Sequence, residues 1–240
     1  MNLSLTDILV WYVALIIAMV VHEAAHALVA KWGGDPTAYE HGQVTLNPVP
    51  HMRREPFGTI VLPLLTLFTM KWPLGFAHAP YNPIWAERYP KRAAVMASAG
   101  PLANLALAGL LIVVFQIGRM PSVGLFEIPF DQPGSVTETC HKIVVGWDDP
   151  ISGPLYSLAK ILSAIFSMNL ILGVFNLIPV PPLDGASILE NLLPGPLGGF
   201  FRLMRSNPLL MMAAFFLIAW ELADYLIGPA FFFARELARM

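Results

Sequence analysis

Val21-His22-Glu23-Ala24-Ala25-His26 places two imidazoles four residues apart, with a carboxylate beside the first. On an α-helix, positions i and i+4 share a face, so His22 and His26 can both point at one ion while Glu23 flanks that face. This HExxH spacing suits a zinc centre whose neighbouring carboxylate acts as general base toward activated water. From Ile8 to Ala30 the only charged residue is Glu23, and the run is close to the roughly 20 apolar residues that cross a bilayer. Ionisable groups are costly at that depth, which makes this stretch a functional site by default.

Two histidines do not complete a catalytic zinc site, which takes three protein ligands and a water. The distant candidate is Asp184, in Phe175-Asn176-Leu177-Ile178-Pro179-Val180-Pro181-Pro182-Leu183-Asp184-Gly185. Its three prolines end a helix and free carbonyls that must be satisfied within protein or water. An Asp-Gly after prolines also reads as a plain turn or helix N-cap. Asn176 reads either as a polar group serving chemistry or as a helix-helix hydrogen-bonding residue.

The elements that must carry these groups are apolar. The chain of 240 residues is 56% hydrophobic and 12% charged, half the roughly 25% charge of a soluble domain. An all-α polytopic membrane protein follows, forming one membrane-embedded domain over 1–240 with a core over 8–193 and a C-terminal helical segment over 206–238. Net charge is −2, which gives no reason to expect nucleic acid as a partner. The single cysteine, Cys140, excludes a disulfide framework or thiolate cluster within one chain, and its neighbour His141 reads as incidental. The first segment has no basic n-region and is read as a retained helix.

Apolar stretches run over Leu5–Lys31, Phe57–Met70, Ala93–Gly118, Leu155–Ile178 and Pro208–Phe233, giving about four spanning helices. The second is short, holds Pro63 and ends at Lys71, so it reads as re-entrant or half-buried. Glu221 and Asp224 interrupt the last and read as an interfacial end or a polar path. Basic residues lie between the first and third stretches and between the fourth and fifth, whereas the connection from Arg119 to Pro154 is acidic. The positive-inside rule puts the basic regions in the cytoplasm. His26 and Asp184 then arrive at similar depth near that face, provided Phe57–Met70 does not cross. Residues 37–46 around Gly42 read as a small cytoplasmic β-hairpin or an ordinary loop, and a hairpin there could hold an unwound substrate strand. Residues 75–83, with Pro80 and Pro83, read as extended. His51 and His78 in the cytoplasmic loops are candidates for proton transfer or metal approach, or plain loop residues.

HEAAH in a membrane helix, Gly100-Pro101-Leu102-Ala103-Asn104, and Asn176-Leu177-Ile178-Pro179 leading to Leu183-Asp184-Gly185 resemble the site-2 protease family of intramembrane zinc metalloproteases. The similarity runs from about Val10 to Leu193 and is nearest the small prokaryotic branch without a PDZ or CBS domain. It implies one Zn2+ per chain on His22, His26 and Asp184, with Glu23 as catalytic base. By the same resemblance Asn176 is a polar partner of the substrate or transition state, the substrate is a transmembrane protein in the lipid bilayer, and the site faces the cytoplasm of a prokaryotic cell membrane. Asn104 reads as bonding across helices or as catalytic. Relatives often carry a basic residue near His78, which this chain replaces by histidine. A metal-binding or transport protein with the same ligands is the alternative; it has no need of Glu23, and the paired interrupted helices of transporters are not seen. A structural membrane protein with a chance motif would hold no zinc. Oligomeric state is not specified.

Overall fold

The computed structural model describes residues 4–127, 145–146, 153–193 and 195–240. Cys140, His141 and most of the acidic connection fall outside these, as does the side chain of Asp224. Among the described residues four helices are long and apolar enough to span: α1 (Leu5–Gly33), α6 (Pro90–Arg119), α7 (Pro154–Asn176) and α10 (Pro208–Arg239). Shorter helices are α2 (Thr37–Glu40), α3 (Pro48–Arg54), α4 (Phe57–Met70), α5 (Pro83–Arg88), α8 (Asp184–Leu192) and α9 (Pro196–Ser206).

Local chemistry sets the helix ends. Ser4 and Asp7 form a reciprocal capping box at the start of α1, satisfying two donors that helix geometry leaves unpaired. Prolines occupy the first turn of α6, α7 and α10, where a missing N–H costs nothing. Gly100 and Pro101, which the sequence suggests as a helix start, lie well inside α6.

Helices α1, α6 and α7 pack on one another. Contacts running Arg92 to Gly33, Met96 to His26 and Asn104 to Ala18 make α6 antiparallel to α1. Asn104 to Asn169 and Phe115 to Phe166 make α7 antiparallel to α6. Helices α1 and α7 therefore run the same way, and α10, which meets α6 at Gln116 and Leu237, runs parallel to α6. Trp11, Phe115, Phe126 and Phe166 fill the end of the bundle away from His26.

Helix α4 falls short of the length of a span. At 1.5 Å per residue its 14 residues reach about 21 Å, short of a hydrocarbon core of about 30 Å. Beyond Lys71 the chain turns back along it: Leu74 N–H donates to Thr66 Oγ1 at 2.9 Å and Phe76 N–H to Gly58 O at 3.1 Å. Helix and return strand enter and leave on one side. The extended reading of residues 75–83 holds, with α5 starting at Pro83.

The hairpin expected at 37–46 is not formed. The buried Asp35 carboxylate accepts from Thr37 N–H (3.0 Å) and Thr37 O–H (2.6 Å), and this seeds the helical turn α2. Gly42 and Gln43 then donate back to Tyr39 and Ala38, so the donors a ladder would need are already used. The strand pairing described lies in the α6–α7 connection instead, with β1 (Phe126–Glu127) antiparallel to β2 (Val145–Gly146).

Asp35 also accepts from Asn82 N–H at 2.8 Å, tying the end of α1 to the start of α5 with a carboxylate that is 1% exposed. Asp35→Ala leaves three donors unpaired and should cost about 2–3 kcal/mol, with Asp35→Asn costing less. Denaturant unfolding in detergent checks this, and wild-type stability of the alanine variant would contradict it.

Candidate metal centre

His22 and His26, one turn apart on α1, face α6, and α6 determines which nitrogen each ring presents. His26 Nδ1 lies 2.7 Å from Met96 O. A carbonyl only accepts, so Nδ1 carries a proton, and Nε2 is the nitrogen left to ligate a metal. His22 Nδ1 lies 2.6 Å from Asn104 Oδ1 and donates to it likewise. The two Nε2 atoms then meet 3.0 Å apart.

The third group comes from beyond α7. Ile178, Val180 and Leu183 are buried in a tight turn that the prolines enforce, and this turn delivers Asp184 as the first residue of α8. Its neighbour Gly185 is required by close approach, since a Cβ there would meet Ile178 O at 2.5 Å. The cap position belongs to Leu183, which makes no side-chain cap bond, so Asp184 is not spent as an N-cap. Asp184 Oδ2 lies 2.9 Å from His22 Nε2 and 3.3 Å from His26 Nε2. Burial alone would raise this carboxyl, but the two imidazoles outweigh it and hold it below the usual carboxylate range.

His22, His26 and Asp184 each offer one ligand atom, and these lie within 4.8 Å of one another, close enough to share a single cation. The donor set of two imidazoles and a carboxylate suits zinc. Room for an ion exists because α6 passes with Gly100: a Cβ built there would lie 2.6 Å from His22 Nε2 and against His26 Nε2. The residues fit the metal.

Glu23 is 5% exposed and its Oε2 has no hydrogen-bond partner. A buried carboxylate oxygen without a donor is rare enough to demand a role. Asn176 ends α7 with its amide donating back to Leu172 O at 2.9 Å; among the described residues no hydrogen bond links it to the three ligand candidates. His51 is buried and its Nε2–H donates to Thr45 O at 3.0 Å. His78 is exposed and pairs with Glu55 at 3.2 Å. Neither joins the cluster. Glu221 is exposed on α10. Asn104, read as bonding across helices, does so by touching His22. Asn169, 0% exposed, was missed; an amide in the apolar run of α7 is the signal that could have found it.

A bundle of spanning helices with an HExxH centre closed by an aspartate after the fourth apolar stretch defines a membrane metalloprotease. The chain matches peptidase family M50 over residues 10–219, reaching into α10, and it belongs to that family, the site-2 protease family of zinc metalloproteases. It is 35% identical over 196 residues, covering 80% of this chain and 72% of the relative, to the Bacillus subtilis (strain 168) protein named "Putative zinc metalloprotease YwhC". No solved structure gives a significant match.

Gly100→Ala tests the geometry. In a helix this change normally stabilises by about 0.5–1 kcal/mol, yet here the methyl enters the space between the imidazoles. Metal content per chain should fall at least tenfold, and the metal-free protein should gain none of the usual stabilisation, because both imidazoles must shift to admit the methyl. Full zinc occupancy in that variant would refute the placement.

Proposed function

We propose that the chain is an intramembrane endopeptidase that cuts peptide bonds in or next to transmembrane segments of other proteins, with one zinc ion on His22, His26 and Asp184. The observation that carries this is two imidazole nitrogens and a carboxylate converging beside the unpartnered Glu23, on a helix fit to span. Zinc bound there supplies Lewis acidity, which lowers the pKa of water toward about 7 and polarises a carbonyl.

The chain's own groups do the proton work. Glu23 Oε2 has no hydrogen bond to give up, so it is ready to take the proton of the attacking water and pass it to the leaving amine. Asn176 donates to the developing oxyanion after its amide releases Leu172 O, a term of the kind that dominates acyl-transfer catalysis. A helical substrate hides its backbone and must unwind before its carbonyl can be attacked. The site lies toward the cytoplasmic face of the cell membrane: the ligands sit in the half of the bundle that α4 enters and leaves, on the side of Arg53, Arg54, Lys91 and Arg92. The partner is a transmembrane protein in the bilayer, and a net charge of −2 offers nucleic acid nothing.

Glu23→Gln should keep stoichiometric zinc and lose about 10²–10⁴-fold in cleavage, whereas His22→Ala should lose both. Metal analysis of the purified proteins, with a comparison of membrane-protein fragments from cells expressing each, reads these outcomes. Cleavage surviving in Glu23→Gln would overturn the general-base assignment, and zinc-free wild type would overturn the centre.

A further inference from the structure

Asn104 donates its amide N–H groups to Ala18 O at 2.9 Å and to Asn169 Oδ1 at 2.8 Å. Asn169 in turn donates to Ile165 O, also at 2.8 Å. Asn104 and Asn169 are 0% exposed. An asparagine amide can in principle be turned either way, with oxygen and nitrogen exchanged. Here two backbone carbonyls remove the choice. Ile165 O only accepts, so Asn169 must aim its nitrogen there and its oxygen at Asn104. Ala18 O also only accepts, so Asn104 must aim its nitrogen inward and its oxygen at His22. His22 is then required to carry its proton on Nδ1.

From this chain of bonds we infer that Asn169 is a positioning residue of the metal centre: through Asn104 it fixes the tautomer of His22, so that the bare nitrogen is the one facing His26 and Asp184. The inference rests on the zinc reading above. If Asn169 is removed, only the Ala18 O bond holds the Asn104 nitrogen inward. The turned-over amide, which presents N–H to His22 and draws the ring proton onto Nε2, where it opposes ligation, then becomes populated beside the native one. Partners that orient a ligating histidine are typically worth 10–100-fold in metal affinity.

A distinctive consequence follows for aspartate at position 104. Whichever oxygen faces His22 accepts from Nδ1–H, so the His22 tautomer no longer depends on Asn169. The other oxygen then opposes Ala18 O, which also only accepts, so Asn104→Asp alone is the reference against which loss of Asn169 is read. The test is zinc affinity of the full chain in detergent, measured by chelator competition, with the His22 ring nitrogens followed by NMR. Asn169→Leu should bind zinc 10–100-fold more weakly and show mixed His22 tautomers in the metal-free protein. The double variant Asn104→Asp/Asn169→Leu should bind zinc within about threefold of Asn104→Asp alone, a far smaller loss than in the Asn104 background, and show a single Nδ1–H form. If Asn169→Leu does not fold, Asn169→Ala carries the same expectations. A role confined to packing predicts equal loss with and without Asn104→Asp, and that result, or wild-type affinity in Asn169→Leu, overturns the inference. Failure of the zinc reading looks different: wild type itself would bind no zinc in a His22-dependent manner.

Discussion

His22, His26 and Asp184 turn one ligand atom each toward a common spot, while the Nδ1 proton of each imidazole is held on the far side of its ring. Nothing about α1 alone would hold them so. The load of holding them there falls on α6, which accepts both Nδ1 protons with Met96 O and Asn104 Oδ1, and on the proline turn, which delivers Asp184 to the imidazoles. Much of the bundle's sequence follows from that load. Helix α6 must be close enough to accept the protons, which needs Gly100 at the crossing. The exit of α7 must be rigid, which needs the prolines and the tight backbone approach at Gly185.

Two ends of the bundle do different work. Away from the site, Phe115 meets Phe126 and Phe166, and Phe166 meets Phe231, in edge-on contacts. Apolar packing there adds dispersion contacts, since lipid removes any hydrophobic drive between helices. Toward the site, the same helices exchange rings for amides and imidazoles, whose hydrogen bonds close within the protein as the absence of water at that depth requires. The aromatic end holds the helices in register, and the polar end spends that register on chemistry.

Much of this was legible because it is written locally. Apolar length marks the four long helices, with first-turn prolines at α6, α7 and α10 and a Ser4–Asp7 capping box at α1, and Pro63, Lys71 and short length mark α4. The His22–His26 face needs only helical periodicity. Asp184 was legible as a candidate, but choosing between ligand and cap needed the turn itself. The misread stretch, 37–46, carries an opposing signal in Asp35-Pro36-Thr37, a helix start that alternation around Gly42 obscured. Gly100 and Asn169 were not legible as site residues. Their meaning depends on which face of α6 meets α1 and how deep α7 sits beside it, and neither rotation nor depth is encoded by neighbours in sequence.

Asp184 stands 158 residues beyond His26 along the chain (184 − 26), and this separation has a bearing on how the protein is made. Ribosomes deliver the histidine pair first and the carboxylate only after α6 and α7 have been inserted. A half-built chain therefore lacks a complete centre, and its own nascent helices and those of its neighbours are safe from it.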